Sequence, residues 1–182
     1  RGCDRMPTIV STKAYHGTLQ SKAKDIIEQK RFKFSTKDIE WLGHGVYFFV
    51  YKQHAVEWAK QEADKPGHKE ESPCVLSAKL SYQELEFLDL DDPAQLNDVN
   101  EFVSQYLDIV SSDSSAPRFD FKTMDKKKKW CFDCNLYSRF NKNIGITAYT
   151  FHFKTTVSGF EQNQRQLCVN RDSLISNIQK EK

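Results

Sequence analysis

Apolar and polar positions along the chain change period several times, and each change marks an element. TIVSTKAY, residues 8 to 15, reads as a strand running into His16-Gly17-Thr18. QSKAKDIIEQKRF, residues 20 to 32, reads as a helix with Ala23, Ile26 and Ile27 on its inner stripe, closed by the stem of Lys30. After the polar FSTKDIEW, the run GVYFFVY, residues 45 to 51, is apolar, aromatic and β-branched, as a buried strand requires. QHAVEWAKQEADK, residues 53 to 65, places Ala55, Trp58, Ala59 and Glu62 at helical spacing before Pro66, Gly67 and Pro73 break it. CVLSAKL (74 to 80) and EFLDL (86 to 90) predict strands. Residues 97 to 110 give the clearest amphipathic helix, with Val99, Phe102, Val103, Tyr106, Leu107 and Val110 on one face. SSDSSAP (111 to 117) reads as a loop, and residues 125 to 140 as a helix. ITAYTFHF (146 to 153) reads as a strand, TTVSGFEQN as a loop and RQLCVNR (165 to 171) as a strand. DSLISNIQK reads as a short closing helix with Asp172 at its N-cap. Strands and helices mix without regular βαβ alternation, which predicts an α+β fold.

Composition narrows the class. A chain of 182 residues, 38% hydrophobic and 13% aromatic, fits one globular domain. No run approaches the ~18 apolar residues of a membrane helix, and RGCDRMPTIVSTK shows no apolar signal-peptide core. The five cysteines (Cys3, Cys74, Cys131, Cys134 and Cys168) have no framework spacing, so they are expected to be reduced and the location cytoplasmic. CFDC, residues 131 to 134, is a lone pair where a structural zinc needs four ligands; it reads as two core-facing thiols on a helix. Net charge is only +2 but is unevenly spread: ELEFLDLDD (84 to 92) is acidic and KTMDKKKK (122 to 129) basic. That run beside Trp130 could follow a phosphate backbone and stack a base. The plainer reading is a solvated helix start, although lysines there oppose the helix dipole. No GxGxxG follows a strand and no P-loop is present.

Three stretches carry chemistry in a fixed order: Tyr15-His16-Gly17-Thr18, then Leu42-Gly43-X-Gly45-Val46-Tyr47-Phe48, then Ala55-X-X-Trp58-Ala59. Taken singly, a strand-end histidine and a Tyr-Phe-Phe strand are ordinary core features. In this order they resemble the ADP-ribosyltransferase superfamily, in its histidine-tyrosine branch of diphtheria-toxin-like and poly(ADP-ribose)-polymerase-like enzymes. The resemblance implies a single domain of split β-sandwich form with flanking helices. It also implies NAD as substrate, with nicotinamide released and ADP-ribose transferred. By the family pattern His16 bonds a ribose hydroxyl, Gly17 lets the backbone approach the carboxamide, Thr18 is the small hydroxyl residue, and Tyr47 stacks on the cationic ring. His16 and Tyr47 are then expected as two walls of one cleft. Tyr51, on the Tyr47 face if the strand continues, is a candidate second stacking aromatic; its plainer reading is packing at a helix start. His44 reads as an exposed loop histidine.

The pattern departs from the family at its third element. A late strand in the family begins with a glutamate that stabilises the cationic transition state. The matching position here is Gln166, which can hydrogen-bond a ribose hydroxyl but supplies no negative charge. Glu161, read as lying on the preceding loop, is the nearest acid and a candidate base for the acceptor. Polymer growth in the family depends on the glutamate, so the departure implies mono-ADP-ribosylation of a macromolecular acceptor, protein or nucleic acid. Small members of this type look like toxins or defence effectors, which adds a neutralising antitoxin to the expected partners; no membrane or metal is implied. Two alternatives stay open: a catalytically inactive NAD or ADP-ribose binder, and a basic RNA-binding module.

Overall fold

The computed structural model describes residues 8–37, 40–68, 70–112, 125–154 and 161–182, leaving aside the side chains of 153, 154, 161 and 162. The elements are β1 (Ile9–Leu19), α1 (Gln20–Gln29), β2 (Val46–Phe49), α2 (Lys52–Ala63), β3 (Pro73–Gln83), β4 (Phe87–Asp89), α3 (Pro93–Ser112), α4 (Lys126–Phe140), β5 (Ile146–Lys154), β6 (Glu161–Val169) and β7 (Ile175–Lys180). The fold is α+β. Its seven strands form one sheet in the order β4-β5-β6-β2-β1-β3-β7, antiparallel throughout except for the parallel pair β4 and β5.

The seven strands form one open sheet with a narrow waist. β1 and β3 are registered along their whole length, Ile9 opposite Gln83 to Leu19 opposite Pro73. β5 and β6 are likewise paired from Ile146 to Lys154. Between these halves, β1 and β2 share one registered pair, Tyr15 opposite Phe49.

Alternation along the strands divides the core. One face carries Ala14, Phe48, Leu76 and Leu167, covered by Ala23 and Ile26 of α1 and by Phe32. Phe49 and Val75 on the opposite face meet Ala55 and Ala59 of α2. Farther along that face, Phe151 and Cys168 meet Val99 and Val103 of α3 and Cys134 and Leu136 of α4. Cys131 and Cys134 therefore point into the core, as the spacing on a helix predicts.

Several elements differ from expectation for identifiable reasons. β1 continues through Leu19, so His16, Gly17 and Thr18 lie within the strand rather than after it. β2 ends at Phe49, and Tyr51 is the N-cap of α2 rather than a strand residue. α4, by contrast, begins at Lys126 as expected, with the Asp125 carboxylate accepting the backbone N–H of Lys127 at 2.9 Å and offsetting the adverse dipole. The closing segment is a short 3-10 turn at Asp172–Leu174 followed by strand β7, not a helix. Ile175 and Ile178, three residues apart, suggest a helical period. Both nevertheless face the core from a strand, because Asn177 (φ 50°) lies where the β3–β7 register shifts and the extra residue resets the alternation. Arg171, not Asp172, occupies the N-cap, and Asp172 instead pairs with Arg31 at 3.2 Å. Of the two expected loops, 113–117 and 155–160 lie outside the described residues; 111–112 belong to α3 and 161–163 to β6.

Candidate functional site

The three family-like stretches fall on neighbouring elements at the waist. β1 carries His16, β2 carries Tyr47, β6 carries Gln166, and α2 packs across β1. His16 is half-buried, and its Nδ1 lies 2.7 Å from the Tyr47 carbonyl oxygen. A carbonyl only accepts, so Nδ1 carries the proton and Nε2 keeps its lone pair as an acceptor. Burial holds this imidazole below its ordinary pKa of 6.5, against the raising effect of the carbonyl bond. Its ring contacts Phe32 and Phe48 edge-to-face at centroid distances of 5.1 and 5.9 Å. The strands part here: beyond the Tyr15–Phe49 pair, a side chain takes the Tyr47 carbonyl.

Tyr47 points to the other face of β2, among the residues that pack under α3 and α4. Its hydroxyl accepts the Leu42 N–H at 2.7 Å and donates to the Gly43 carbonyl at 2.8 Å. Burial raises the hydroxyl's pKa far above the ordinary range, with the nearby Cys168 thiol adding to the shift. The rings of His16 and Tyr47 thus lie on opposite faces of β2 and are joined through the Tyr47 main chain. They are not two facing walls. Gln166 is buried on the Tyr47 face, opposite Phe49 of β2 and Tyr149 of β5. Glu161 opens β6 opposite Lys154 and so belongs to the strand, not a loop; its side chain lies outside the described residues.

Gly17 has a packing role. A Cβ there would sit 2.2 Å from the Ala55 carbonyl oxygen and 3.0 Å from the Ala59 nitrogen, so its absence lets α2 lie directly on β1. Thr18 is buried opposite Cys74 of β3. Tyr51 is 64% exposed and meets His54 edge-on at 5.8 Å. Trp58, not singled out as a site residue, is also exposed and leans on Phe49 at 6.2 Å. Its signal lay in the same AxxWA stretch, one helical turn after the strand. Trp130, beside the lysine run, is half-buried and packs on Tyr149 at 5.1 Å.

A cavity of about 820 Å³ lies elsewhere, between α4, the 142–145 turn and the end of β6. Phe34, His44, Phe132, Arg139, Lys142 and Arg171 contribute to its wall. His44 is exposed, as expected, and its backbone N–H donates to Asn135 Oδ1 at 2.8 Å. Asn135 and the Tyr47 hydroxyl thus clasp the same Leu42–His44 turn from two directions. No cluster of metal-ligating side chains occurs among the described residues, and no helix among them is long and apolar enough to cross a membrane.

No family model matches the chain, and no solved structure matches it. The chain is similar to an uncharacterized protein of Methanocaldococcus jannaschii, 29% identical over 85 residues, which cover 47% of this chain and 40% of that relative.

Proposed function

We propose that the chain is an NAD-dependent mono-ADP-ribosyltransferase acting on a macromolecular acceptor, protein or nucleic acid. The observation that carries this reading is the fixed tautomer of His16 at the parting of β1 and β2. Its Nε2 is an acceptor of the kind a ribose hydroxyl donates to, in the sequence context where the resemblance assigns that role. In the reaction the bond from nicotinamide nitrogen to ribose carbon breaks. Nicotinamide leaves with the electron pair, the acceptor's nucleophile bonds to the ribose carbon, and the nucleophile gives up its proton. Bound dinucleotide enters where the strands part, with His16 reaching it from one face. Tyr47, Phe49 and Gln166, together with Trp58 and Tyr51 from α2, serve the other. Gln166 orients a hydroxyl without stabilising cationic charge, which supports a single transfer rather than chain growth.

Nicotinamide release from NAD by the full chain tests this, alone and with total cell protein or total RNA added. We expect His16→Ala to lower release by about a hundredfold, the scale of losing one well-placed hydrogen bond to the reacting group, and Gln166→Ala by less. Unaltered release in His16→Ala refutes the assignment, and laddered products from labelled NAD refute mono-transfer. The neutral Gln166 specifically favours a second reading, a binder of NAD or ADP-ribose that performs no chemistry. NAD binding without nicotinamide release under any condition would establish it.

A further inference from the structure

We propose that the cavity beside α4 is a binding site for a nucleoside phosphate. Among the described residues its wall holds four cations, Lys128, Arg139, Lys142 and Arg171, and no aspartate or glutamate. The chain as a whole carries 27 Lys and Arg against 25 Asp and Glu, so this is local segregation of charge, not a reflection of composition. Arg171 is fixed in place. One of its terminal nitrogens donates to Glu86 at 2.8 Å, and the other to the Asn143 carbonyl. Among the described residues, no ion pair engages Lys128, Arg139 or Lys142. Their donors therefore remain for a ligand, with Arg139 and Lys142 at the C-terminal end of α4 and Lys128 about 16 Å away along the helix.

The rest of the wall matches the rest of such a ligand. Phe34 presents aromatic surface on which a base can lie. Ser138 adds a neutral hydroxyl suited to a sugar or a base edge. A volume of about 820 Å³ is much larger than a lone phosphate needs and falls in the usual range for small-molecule sites. The site does not depend on the transferase reading, since neither His16 nor Gln166 lines it.

Calorimetric titration of the full chain with ADP, adenosine and a short single-stranded RNA, without NAD, tests the assignment. ADP is expected to bind at least tenfold more tightly than adenosine. The double variant Arg139→Ala/Lys142→Ala, altered at two exposed side chains, is expected to weaken ADP at least tenfold. The distant pair Lys24→Ala/Lys60→Ala is expected to change it less than twofold. If the natural source is a nucleic-acid strand, RNA binds more tightly than ADP, and the double variant lowers its salt slope by about two. If the source is a free nucleotide, ADP binds more tightly than RNA. Absence of ADP and RNA binding at millimolar concentration, or binding indifferent to Arg139 and Lys142, overturns the proposal. ADP binding lost in His16→Ala but kept in the double variant overturns it too, by placing the nucleotide at the waist. Nicotinamide release, read separately, decides the transferase question whatever the outcome here.

Discussion

Replacing Gly17 with alanine tests how the waist is held together. The new Cβ would meet the Ala55 carbonyl oxygen at 2.2 Å, where contacts under 3.0 Å essentially never occur. Both obstructing groups are backbone of α2, so no rotamer change relieves them. The helix must retreat from β1 by about 0.8 Å to bring that 2.2 Å contact to 3.0 Å. Ala55, Ala59, Phe49 and Val75, which pack as one cluster, lose contact as it moves. Overpacking of this kind costs about 1–3 kcal/mol, and we place Gly17→Ala at the upper end, about 3 kcal/mol, because the obstruction is main chain. For a chain of this size, that lowers Tm by roughly 6–12 °C. Urea denaturation with fluorescence detection reads the stability, and Trp58, carried on the displaced helix, gives a local signal. Gly67→Ala is the comparison. It has open space around its Cβ but φ +95°, so it is expected to cost about 1 kcal/mol from backbone strain alone. A Gly17→Ala protein with unchanged Tm would show that α2 does not rest on β1 as described, and would return Gly17 to a ligand-facing role alone.

Other expectations follow from the same structure. Tyr47→Phe leaves the Leu42 N–H without a partner and the Gly43 carbonyl with only the Cys168 thiol, at 3.5 Å, and should cost about 2 kcal/mol in urea denaturation; an unchanged midpoint would refute the hydroxyl's role in holding the turn. Because His16 has its pKa lowered in the folded state, the unfolded chain binds its proton first, and this contribution to stability is lost as pH falls through about 6.5 and below. The midpoint difference between the protein and His16→Gln should therefore shrink on acidification from about pH 7 to pH 5, by at most about 1.4 kcal/mol per pH unit; a constant difference would refute it. Cys74, Cys131, Cys134 and Cys168 are all buried, with burial pushing the Cys168 thiol up to about 12. In a Cys3→Ser background, a thiol reagent should modify them only as denaturant opens the chain, and rapid native modification would contradict their placement.

Much of this fold was legible because its elements announce themselves locally. Val99 and Val103 appear on the inner face of α3, and GVYFFVY contains β2. The parts that were not legible depend on partners distant in sequence. The length of β1 is set by β3, which pairs as far as Leu19, beyond the 8 to 15 stretch that the apolar pattern marks. β7 mimics a helix because a bulge at Asn177 brings two isoleucines three residues apart onto one face. At the candidate site, the ordered motifs placed His16 and Tyr47 on strands, but not the faces on which they lie, since a one-residue change of phase reverses a strand. The cationic cavity had no signature beyond the lysine run. Lys128, Lys142 and Arg171 come from a helix, a turn and a strand end, and only the fold joins them.

The narrow waist also bears on how the chain reaches this shape. In one half β5 and β6 follow one another in sequence and pair as neighbours, while Val46 must find Val169 and Phe87 must find Ile146. The other half requires Ile9 to find Gln83 and Leu76 to find Lys180, contacts whose sequence separation makes them slow to form. With one registered pair between them, neither half templates the other along an edge. The two are therefore expected to act as separate cooperative units that open at different free energies in native-state hydrogen exchange.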